Sequence, residues 1–187
     1  MRIIGGSARG KKLATFTGGT IRPTPDRVRE AIFSSLYSKL GPLQGKRILD
    51  LFAGSGAMGL EALSRGADEC VFVDQEAQSL KIVKANLAAC GFMDRARLIQ
   101  MDALSALRRI EGEVSFNVVF LDPPYHKGLV NQTLGLLSDL NLLTPDGIIC
   151  AEAAKSDEVS AHPGVYEMVG GRNYGSTSVY FFSHPSD

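Results

Sequence analysis

Residues Asp50–Gly59 have the types and spacing that bind a nucleoside cofactor. The segment reads DLFAGSGAMG, follows an apolar run and places glycines at positions 54, 56 and 59. Glycines at this spacing between a strand and a helix let the backbone approach a cofactor closely. Asp74 lies 18 residues beyond Gly56, near the spacing expected of a carboxylate that binds ribose hydroxyls. The candidate cofactor-binding residues here are Asp50, Phe52, Ala53, Gly54, Ser55, Gly56 and Asp74.

Asp50 narrows the identity of the cofactor. A carboxylate directly before the glycine turn suits a cofactor with an ammonium group there, whereas it would repel the pyrophosphate of NAD. The stretch 5–12 is close to a phosphate-binding loop, but Lys12 stands where that motif has Ser or Thr, and no helix pattern follows. Cysteines 70, 90 and 150 form no CxxC pair, so we expect no zinc site and no other metal.

A second segment, Asp122–Tyr125, has the groups needed to hold a flat base that bears an amine. It reads Asp-Pro-Pro-Tyr and ends an apolar run. Two prolines remove two N–H donors and leave carbonyl acceptors exposed, while the aspartate adds a carboxylate and the tyrosine a ring. Ligands of open α/β sheets lie at the carboxyl ends of strands. The candidate catalytic residues are therefore Asp122, Pro123, Pro124 and Tyr125.

Asp102 and Ala103 follow another apolar run and are also assigned to the cofactor site. Asp102 could accept a hydrogen bond from an adenine amino group, or it could cap the helix that follows it. Both roles stay open from the sequence.

The segments between these residues alternate in a pattern that predicts a parallel sheet covered by helices. The predicted strands are Arg47–Phe52, Cys70–Asp74, Ala96–Met101, Phe116–Leu121 and Gly147–Glu152. The predicted helices between them are Ala57–Arg65, Glu76–Cys90, Ala103–Ile110 and Gly128–Leu140. Two last strands, Val165–Val169 and Ser178–Phe182, are expected to form a hairpin, which would make the sheet mixed.

The N-terminal quarter differs from the rest in charge. Residues 1–47 carry a net charge of +8 and the remainder −8, although the whole chain is neutral. Residues 1–22 predict a glycine-punctuated hairpin, and a helix follows from Thr24-Pro25-Asp26 to Gly41-Pro42. A basic region on an acidic body is the usual electrostatic footprint of nucleic-acid contact. The candidate contact residues are Arg9, Lys11, Lys12, Arg22, Arg27 and Arg29.

Length and composition set the class of protein. A chain of 187 residues with 44% hydrophobic and 21% charged residues predicts a globular fold rather than a disordered, collagen-like or coiled-coil chain. No apolar run is long enough for a membrane span, and the N-terminus is unlike a signal peptide, so we expect a cytoplasmic protein. We divide it into a basic extension, residues 1–45, and a cofactor-binding domain, residues 46–187.

Together these motifs resemble class I S-adenosylmethionine-dependent methyltransferases that act on exocyclic amines of bases. The residues that carry this resemblance are Asp50–Gly56, Asp74, Asp102 and Asp122–Tyr125. Over essentially its whole length the chain is similar to RsmD-type bacterial 16S rRNA guanine-N2 methyltransferases, although Asp74 stands where that family often has Glu. The Arg22–Ala31 block (RPTPDRVREA) makes this closer match specific. The other segments that carry it are Gly5-Gly6, Arg9-Gly10, Leu49–Gly66, Asp122–Tyr125 and Tyr174-Gly175.

The resemblance implies an α/β, Rossmann-like class I methyltransferase sheet of seven strands with the last strand antiparallel, preceded by an RNA-handling extension. It also implies S-adenosylmethionine as cofactor and 16S rRNA as substrate, free or in a partly assembled small subunit; we expect a monomer. Three alternatives remain: an N6-adenine methyltransferase of DNA or RNA, an NAD-dependent oxidoreductase, and a non-catalytic RNA-binding module.

Overall fold

The structure, a computed structural model, describes residues 1–16, 25–113 and 115–185. The predictions for residues 17–24, which include Arg22 and the start of the block Arg22–Ala31, lie outside the described residues. Within the described part of the chain, no helix is both long and apolar enough to cross a membrane.

Among the described residues, seven strands form one mixed sheet in the order β3-β2-β1-β4-β5-β7-β6. Strands β1 to β5 are parallel, and β7 is antiparallel to both of its neighbours. This confirms the predicted seven-stranded sheet with an antiparallel last strand. The strands are β1 (Arg47–Leu51), β2 (Glu69–Asp74), β3 (Ala96–Gln100), β4 (Phe116–Leu121), β5 (Leu143–Ala154), β6 (Glu167–Tyr174) and β7 (Thr177–Ser183).

In the part of the chain that the structure describes, five α-helices cover the two faces of the sheet, as the alternation of apolar runs predicts, and a 3-10 turn, Met93–Arg95, precedes the third strand. The α-helices are α1 (Asp26–Leu40), α2 (Ala57–Ser64), α3 (Ala77–Cys90), α4 (Ala103–Arg109) and α5 (Leu129–Asp139). Successive strand residues point to opposite faces: Ile48 packs in the cluster that contains residues of α1, α2 and α3, whereas Leu49 packs in the cluster that contains residues of α4 and α5. The result is a three-layer α/β architecture.

The terminal hairpin is tighter than the sequence predicts. The expected connection of residues 170–175 is instead mostly strand, and only Gly175 and Ser176 separate β6 from β7. Gly175 has a φ of 63°, and a two-residue hairpin turn needs such a left-handed residue. Strand β5 also begins at Leu143, earlier than the predicted Gly147, with a register shift against β4.

The N-terminal segment packs onto α2 and shares the core of the sheet. Its predicted hairpin is present as one antiparallel bridge between Arg2 and Lys12. The buried Glu61 of α2 accepts hydrogen bonds from the backbone N–H groups of Ile4 and Gly5, both at 2.8 Å. Ile3, Ala8 and Leu13 are buried in the same cluster as residues of α1. Residues 1–16 are therefore held by the core of the sheet.

The prediction that Arg29 contacts RNA is wrong. The residue is 0% exposed, and Nη2 donates to the carbonyl of Arg2 (2.6 Å) and to Oδ1 of Asp26 (2.9 Å). Burial lowers the pKa of Arg29, while the carboxylates of Asp26 and Glu61 oppose that shift. Arg29 lies three, four and seven residues before three apolar core residues, so it shares their face of α1. Those residues are Ile32, Phe33 and Leu36.

Candidate functional site

The glycine turn after β1 requires its glycines for two different reasons. Gly54 and Gly56 have φ of 55° and 76°, a left-handed conformation in which glycine carries no steric penalty. Gly59 instead allows close packing, since a Cβ there would lie 2.3 Å from a ring carbon of Phe72 and 2.6 Å from Sγ of Cys70. Phe52 is also left-handed, with a φ of 63°. The predicted strand–turn–helix geometry is therefore present.

Asp74 holds the glycine turn from the neighbouring strand. Its Oδ2 accepts a hydrogen bond from the N–H of Gly54 at 2.8 Å, and its Oδ1 accepts one from the N–H of Glu76 at 2.9 Å. The side chain is half-buried, and each carboxylate oxygen has a further lone pair. Its predicted contact with ribose hydroxyls remains a prediction, and the structure adds a role in fixing the turn.

Asp50 is a buried carboxylate beneath the same turn. It is 4% exposed, and its Oδ2 accepts a hydrogen bond from the N–H of Gly59 at 2.9 Å. Burial raises the pKa of Asp50 to about 7; the hydrogen bond from Gly59 opposes this shift, and the charge of Asp74 adds to it. Asp50 is thus only partly ionised near neutral pH, at a position where a cationic ligand would favour its charged form.

Replacing Asp50 with Asn is expected to stabilise the fold at high pH. The pKa is raised in the folded state, so the folded protein retains a proton that the unfolded chain releases, and stability falls as pH rises from about 4 to 7. An amide does not ionise and keeps an acceptor for Gly59. At 1.36 kcal/mol per pKa unit, we expect a gain on the order of 1–4 kcal/mol at pH 8 and a smaller one at pH 5. Urea unfolding of wild type and variant at both pH values measures this gain in the free energy of unfolding. An equal gain at pH 5 and pH 8 would contradict the assignment of the raised pKa to Asp50.

The tetrapeptide Asp122–Tyr125 lies directly after β4, beside β1. Residues 50 and 51 pair with residues 120 and 121, and the strand order reverses between β1 and β4. In open α/β sheets this reversal forms the ligand-binding crevice. The structure thus brings the predicted cofactor and catalytic segments to one edge of the sheet.

Asp122 has an unusual electrostatic environment. Asp122 is an exposed residue, but the protein atoms packed around its carboxyl group reduce the hydration of that group. This desolvation, with the negative charges of Glu152 and Asp50, raises the pKa of Asp122 well above its usual range. A carboxylate with a raised pKa is a stronger hydrogen-bond acceptor and a better base.

Tyr125 is fixed through its hydroxyl group. The hydroxyl donates to Oε1 of Glu152 in β5 at 2.8 Å and lies 3.0 Å from Oγ1 of Thr177 in β7. Burial, with a smaller contribution from Glu152, raises the pKa of Tyr125, so it is a neutral donor at physiological pH. The residue remains 36% exposed. The ring is therefore held at one end and accessible for stacking.

The sequence did not indicate several residues that support this site. They are Glu152, Thr177 and the pair His126 and Asp157, whose Nδ1 and Oδ1 lie 2.9 Å apart. His126 directly follows the tetrapeptide and has a φ of 61°, so this contact stabilises a left-handed turn at the end of the catalytic segment. A carboxylate at the end of the predicted strand Gly147–Glu152 was the available signal for Glu152.

Asp102 is observed in its capping role. Its Oδ1 accepts a hydrogen bond from the N–H of Ser105 at 3.0 Å, at the start of α4, and this bond lowers the pKa of Asp102. The N–H of Met101 donates to the carbonyl of Asp74, so the end of β3 adjoins the glycine turn. Asp102 is exposed and Ala103 is buried; their contact with a cofactor remains a prediction.

The basic residues of the N-terminal part are mostly on the surface. Arg9, Lys11 and Lys12 are exposed on the N-terminal segment, and Arg27 is exposed in the first turn of α1. Arg22 lies outside the described residues. Among the side chains that the structure describes, no cluster of three or more His, Cys, Asp and Glu could hold a metal ion.

The fold and the site define a class of protein. The strand order 3-2-1-4-5-7-6 with an antiparallel last strand is that of a Rossmann-like class I methyltransferase. The glycine turn after β1, the carboxylate at the end of β2 and the acceptor-rich tetrapeptide after β4 agree with this class. The chain belongs to the family described as Conserved hypothetical protein 95, which matches residues 1–183. This is the RsmD family, and the resemblance seen in the sequence is confirmed.

Individual relatives agree with this assignment. The chain is 37% identical over 169 residues to the Escherichia coli K12 protein named ribosomal RNA small subunit methyltransferase D, covering 90% of this chain and 82% of that protein. It is 39% identical over 184 residues to YlbH of Bacillus subtilis, covering 97% and 98%. The solved structure of yhhF from Escherichia coli superposes with a TM-score of 0.85 at 32% identity, covering 98% of this chain and 97% of that one.

Proposed function

We propose that this protein uses S-adenosylmethionine to methylate the exocyclic N2 amine of a guanine in 16S rRNA. The observation that carries the proposal is the tetrapeptide Asp122–Tyr125 at the crevice beside the glycine turn. It combines a carboxylate of raised pKa with an anchored, accessible tyrosine ring. The name of the Escherichia coli relative supports ribosomal RNA as the substrate.

The residues of the glycine turn fit this cofactor. The turn presents its backbone without side chains at Gly54 and Gly56, Asp74 retains lone pairs for ribose hydroxyls, and Asp50 offers a carboxylate to an ammonium group. S-adenosylmethionine supplies a methyl group on a sulfonium that is already activated for transfer. Asp102 and Ala103 lie at the end of the neighbouring strand β3 and would border the adenine.

The catalytic segment compensates for the low nucleophilicity of the amine. The lone pair of guanine N2 is conjugated into the ring, and acceptors on both N–H bonds favour a pyramidal nitrogen. We assign these acceptors to the carboxylate of Asp122 and the carbonyl of Pro123, with Pro124 fixing the backbone and Tyr125 stacking on the base. Positive charge develops on N2 in the transition state, so a fixed carboxylate stabilises that state more than the ground state. Asp122 then accepts the proton that the nitrogen loses.

The basic surface and the flipped base complete the proposal. The target guanine must be unpaired or extruded from its stack to reach the crevice. Residues 1–45 are the RNA-facing part, with Arg9, Lys11, Lys12 and Arg27 exposed to phosphates, and residues 46–187 carry out methyl transfer. We further propose a monomeric, cytoplasmic enzyme that acts on free 16S rRNA or a partly assembled small subunit.

Product analysis tests the proposal directly. The purified protein is incubated with labelled S-adenosylmethionine and with either free 16S rRNA or partly assembled subunits. The RNA is then digested to nucleosides. We expect N2-methylguanosine at one position, and comparison of the two substrates identifies the preferred one. N6-methyladenosine would show the alternative specificity, and no incorporation into either substrate would overturn the proposal.

Asp74→Ala is expected to weaken cofactor binding. Two charge-assisted hydrogen bonds of roughly 1.5–3 kcal/mol each set the upper limit, with water replacing part of the loss. We expect the Kd for S-adenosylmethionine, measured by calorimetry, to rise by more than about threefold, or ~0.7 kcal/mol. In the same assay we expect NAD not to bind. Asp68→Ala is the matched control, because Asp68 also accepts a glycine N–H, that of Gly45, far from the crevice. A smaller rise would mean that Asp74 only fixes the backbone.

A further inference from the structure

The side chain of Asn86 joins the glycine turn Gly54–Gly56 to the N-terminal segment, residues 1–16. It lies in α3 and is 2% exposed. Its Nδ2 donates to the carbonyl oxygens of Ala14 and Ser55, both at 3.0 Å, and its Oδ1 accepts from the N–H of Ala14 at 2.7 Å. Both amide hydrogens and the amide oxygen are therefore used, and water has little access to them.

The two partners of Asn86 belong to different parts of the proposed function. Ser55 is the middle residue of the turn Gly54–Gly56, in which Asp74 also accepts a hydrogen bond from the N–H of Gly54. Ala14 follows the loop that carries Arg9, Lys11 and Lys12. In the sequence, residues 15–21 connect it to the block that begins at Arg22. Asn86 thus holds the base of the RNA-facing segment against the back of the cofactor turn.

The other side-chain hydrogen bonds that the structure describes for residues 1–16 run to α1 and α2 rather than to this turn. Glu61 binds the backbone of Ile4 and Gly5, and Ser64 binds that of Ala8. Both side chains lie in the second half of α2, one to two turns beyond the cofactor segment. They hold the segment on the core, whereas Asn86 connects it to the cofactor-binding backbone.

We propose that Asn86 is a positioning residue that couples cofactor binding to the placement of the RNA-facing segment. A shift of either Ser55 or Ala14 would leave a buried amide or carbonyl without its partner, which is unfavourable. The two backbone segments therefore move together or not at all. Because coupling is reciprocal, cofactor would strengthen RNA binding by the same factor as RNA strengthens cofactor binding. The RNA half of this inference rests on the proposed function.

Hydrogen exchange in the unmodified protein tests the coupling without RNA. The amide of Ala14 donates to Asn86, whereas those of Ile3 and Gly10 donate within the loop, to Lys11 and Ile3. We expect saturating S-adenosylhomocysteine to slow exchange at Ala14 about fivefold or more beyond any change at Ile3 and Gly10, at the lower end of typical coupling factors. Equal changes at all three amides would overturn the proposal. Failure of the compound to bind at all would count against the proposed function and, with it, against this coupling.

Two variants test the RNA half. The affinity for a 16S rRNA fragment is measured with and without S-adenosylhomocysteine in wild type, Asn86→Ala and Asn86→Asp. We expect S-adenosylhomocysteine to raise the RNA affinity of wild type about fivefold or more, and that of both variants less than about twofold. Asn117→Ala is the control, because the side chain of Asn117 also joins two separate parts of the chain. It accepts from the N–H of Arg47 in β1 and donates to Oγ1 of Thr144 in β5, at the opposite end of the sheet.

A purely structural role for Asn86 gives a different result. In that case both affinities fall in the variants, as thermal stability does, but the ratio stays at its wild-type value, and the proposal is wrong. A wild-type ratio near one also overturns it. If neither variant folds, the exchange measurement at Ala14 decides alone.

Discussion

Asp122→Ala is expected to abolish methyl transfer while the affinity for S-adenosylmethionine changes by no more than a few-fold. Asp122 is assigned to the amine of the base, and a group that acts mainly in the transition state lowers turnover more than binding. Loss of a preorganised electrostatic group in an active site costs about 10²–10³-fold in rate. Single-turnover transfer with labelled cofactor, together with calorimetry, measures both quantities. Turnover above a tenth of wild type would contradict the mechanism.

Asp122→Asn separates the charge of the carboxylate from its shape. The amide oxygen can still accept one N–H, but it carries no charge and takes up no proton. Because the pKa of Asp122 is raised by desolvation and by Glu152 and Asp50, wild-type activity should fall with decreasing pH at a higher pH than for an ordinary aspartate. The residual activity of the Asn variant should lack this pH-dependent loss. If both proteins lose activity over the same range of decreasing pH, the loss belongs to a group other than Asp122.

The central part of the fold and site was predictable because it is local in sequence. Apolar runs of strand length and apolar periodicity in the helices predict β1 to β5 and the helices between them, and the glycine spacing places the cofactor turn. The carboxyl ends of parallel strands meet at one edge, so Asp50, Asp74 and Asp122 could be brought together without a structure.

Contacts between distant segments were not predictable in this way. Tyr125 is held by Glu152 and Thr177 because β7 inserts between β5 and β6, and no local pattern specifies that order. Asn86 resembles any polar residue of a helix until Ala14 and Ser55 are seen on either side of it. The residues that position the catalytic segment were therefore missed, because their contacts join parts of the chain that lie far apart in sequence.

Arg29 shows how a charged residue misleads when its helix has two faces. Its charge suggested a solvated position, but its spacing to Ile32, Phe33 and Leu36 places it on the buried face. There the guanidinium binds the backbone of Arg2 and so stabilises the N-terminal segment. The face of the helix, rather than the residue type, decided its role.

Salt dependence of RNA affinity should reveal the contacts of the remaining basic residues. The exposed set is Arg9, Lys11, Lys12 and Arg27. Each contact with a single-stranded phosphate contributes about −0.7 to the slope of log K against log salt, so four contacts give roughly −3. Replacing Arg9, Lys11 and Lys12 with Gln should reduce the magnitude of this slope by about 2. Over a tenfold rise in salt, wild type would lose affinity about 10³-fold and the triple variant about tenfold.

A charge-matched variant distinguishes phosphate contacts from a general effect of net charge. Replacing Lys84, Arg108 and Arg109 with Gln removes the same charge from exposed positions on α3 and α4, and we expect its slope to stay close to wild type. Neither variant should alter the affinity for S-adenosylmethionine, since none of these side chains lines the glycine turn. If the N-terminal triple variant instead binds rRNA with unchanged affinity and slope, the basic charges are only a solvated surface. The methyltransferase assignment would then stand, but the RNA would have to be held by other residues.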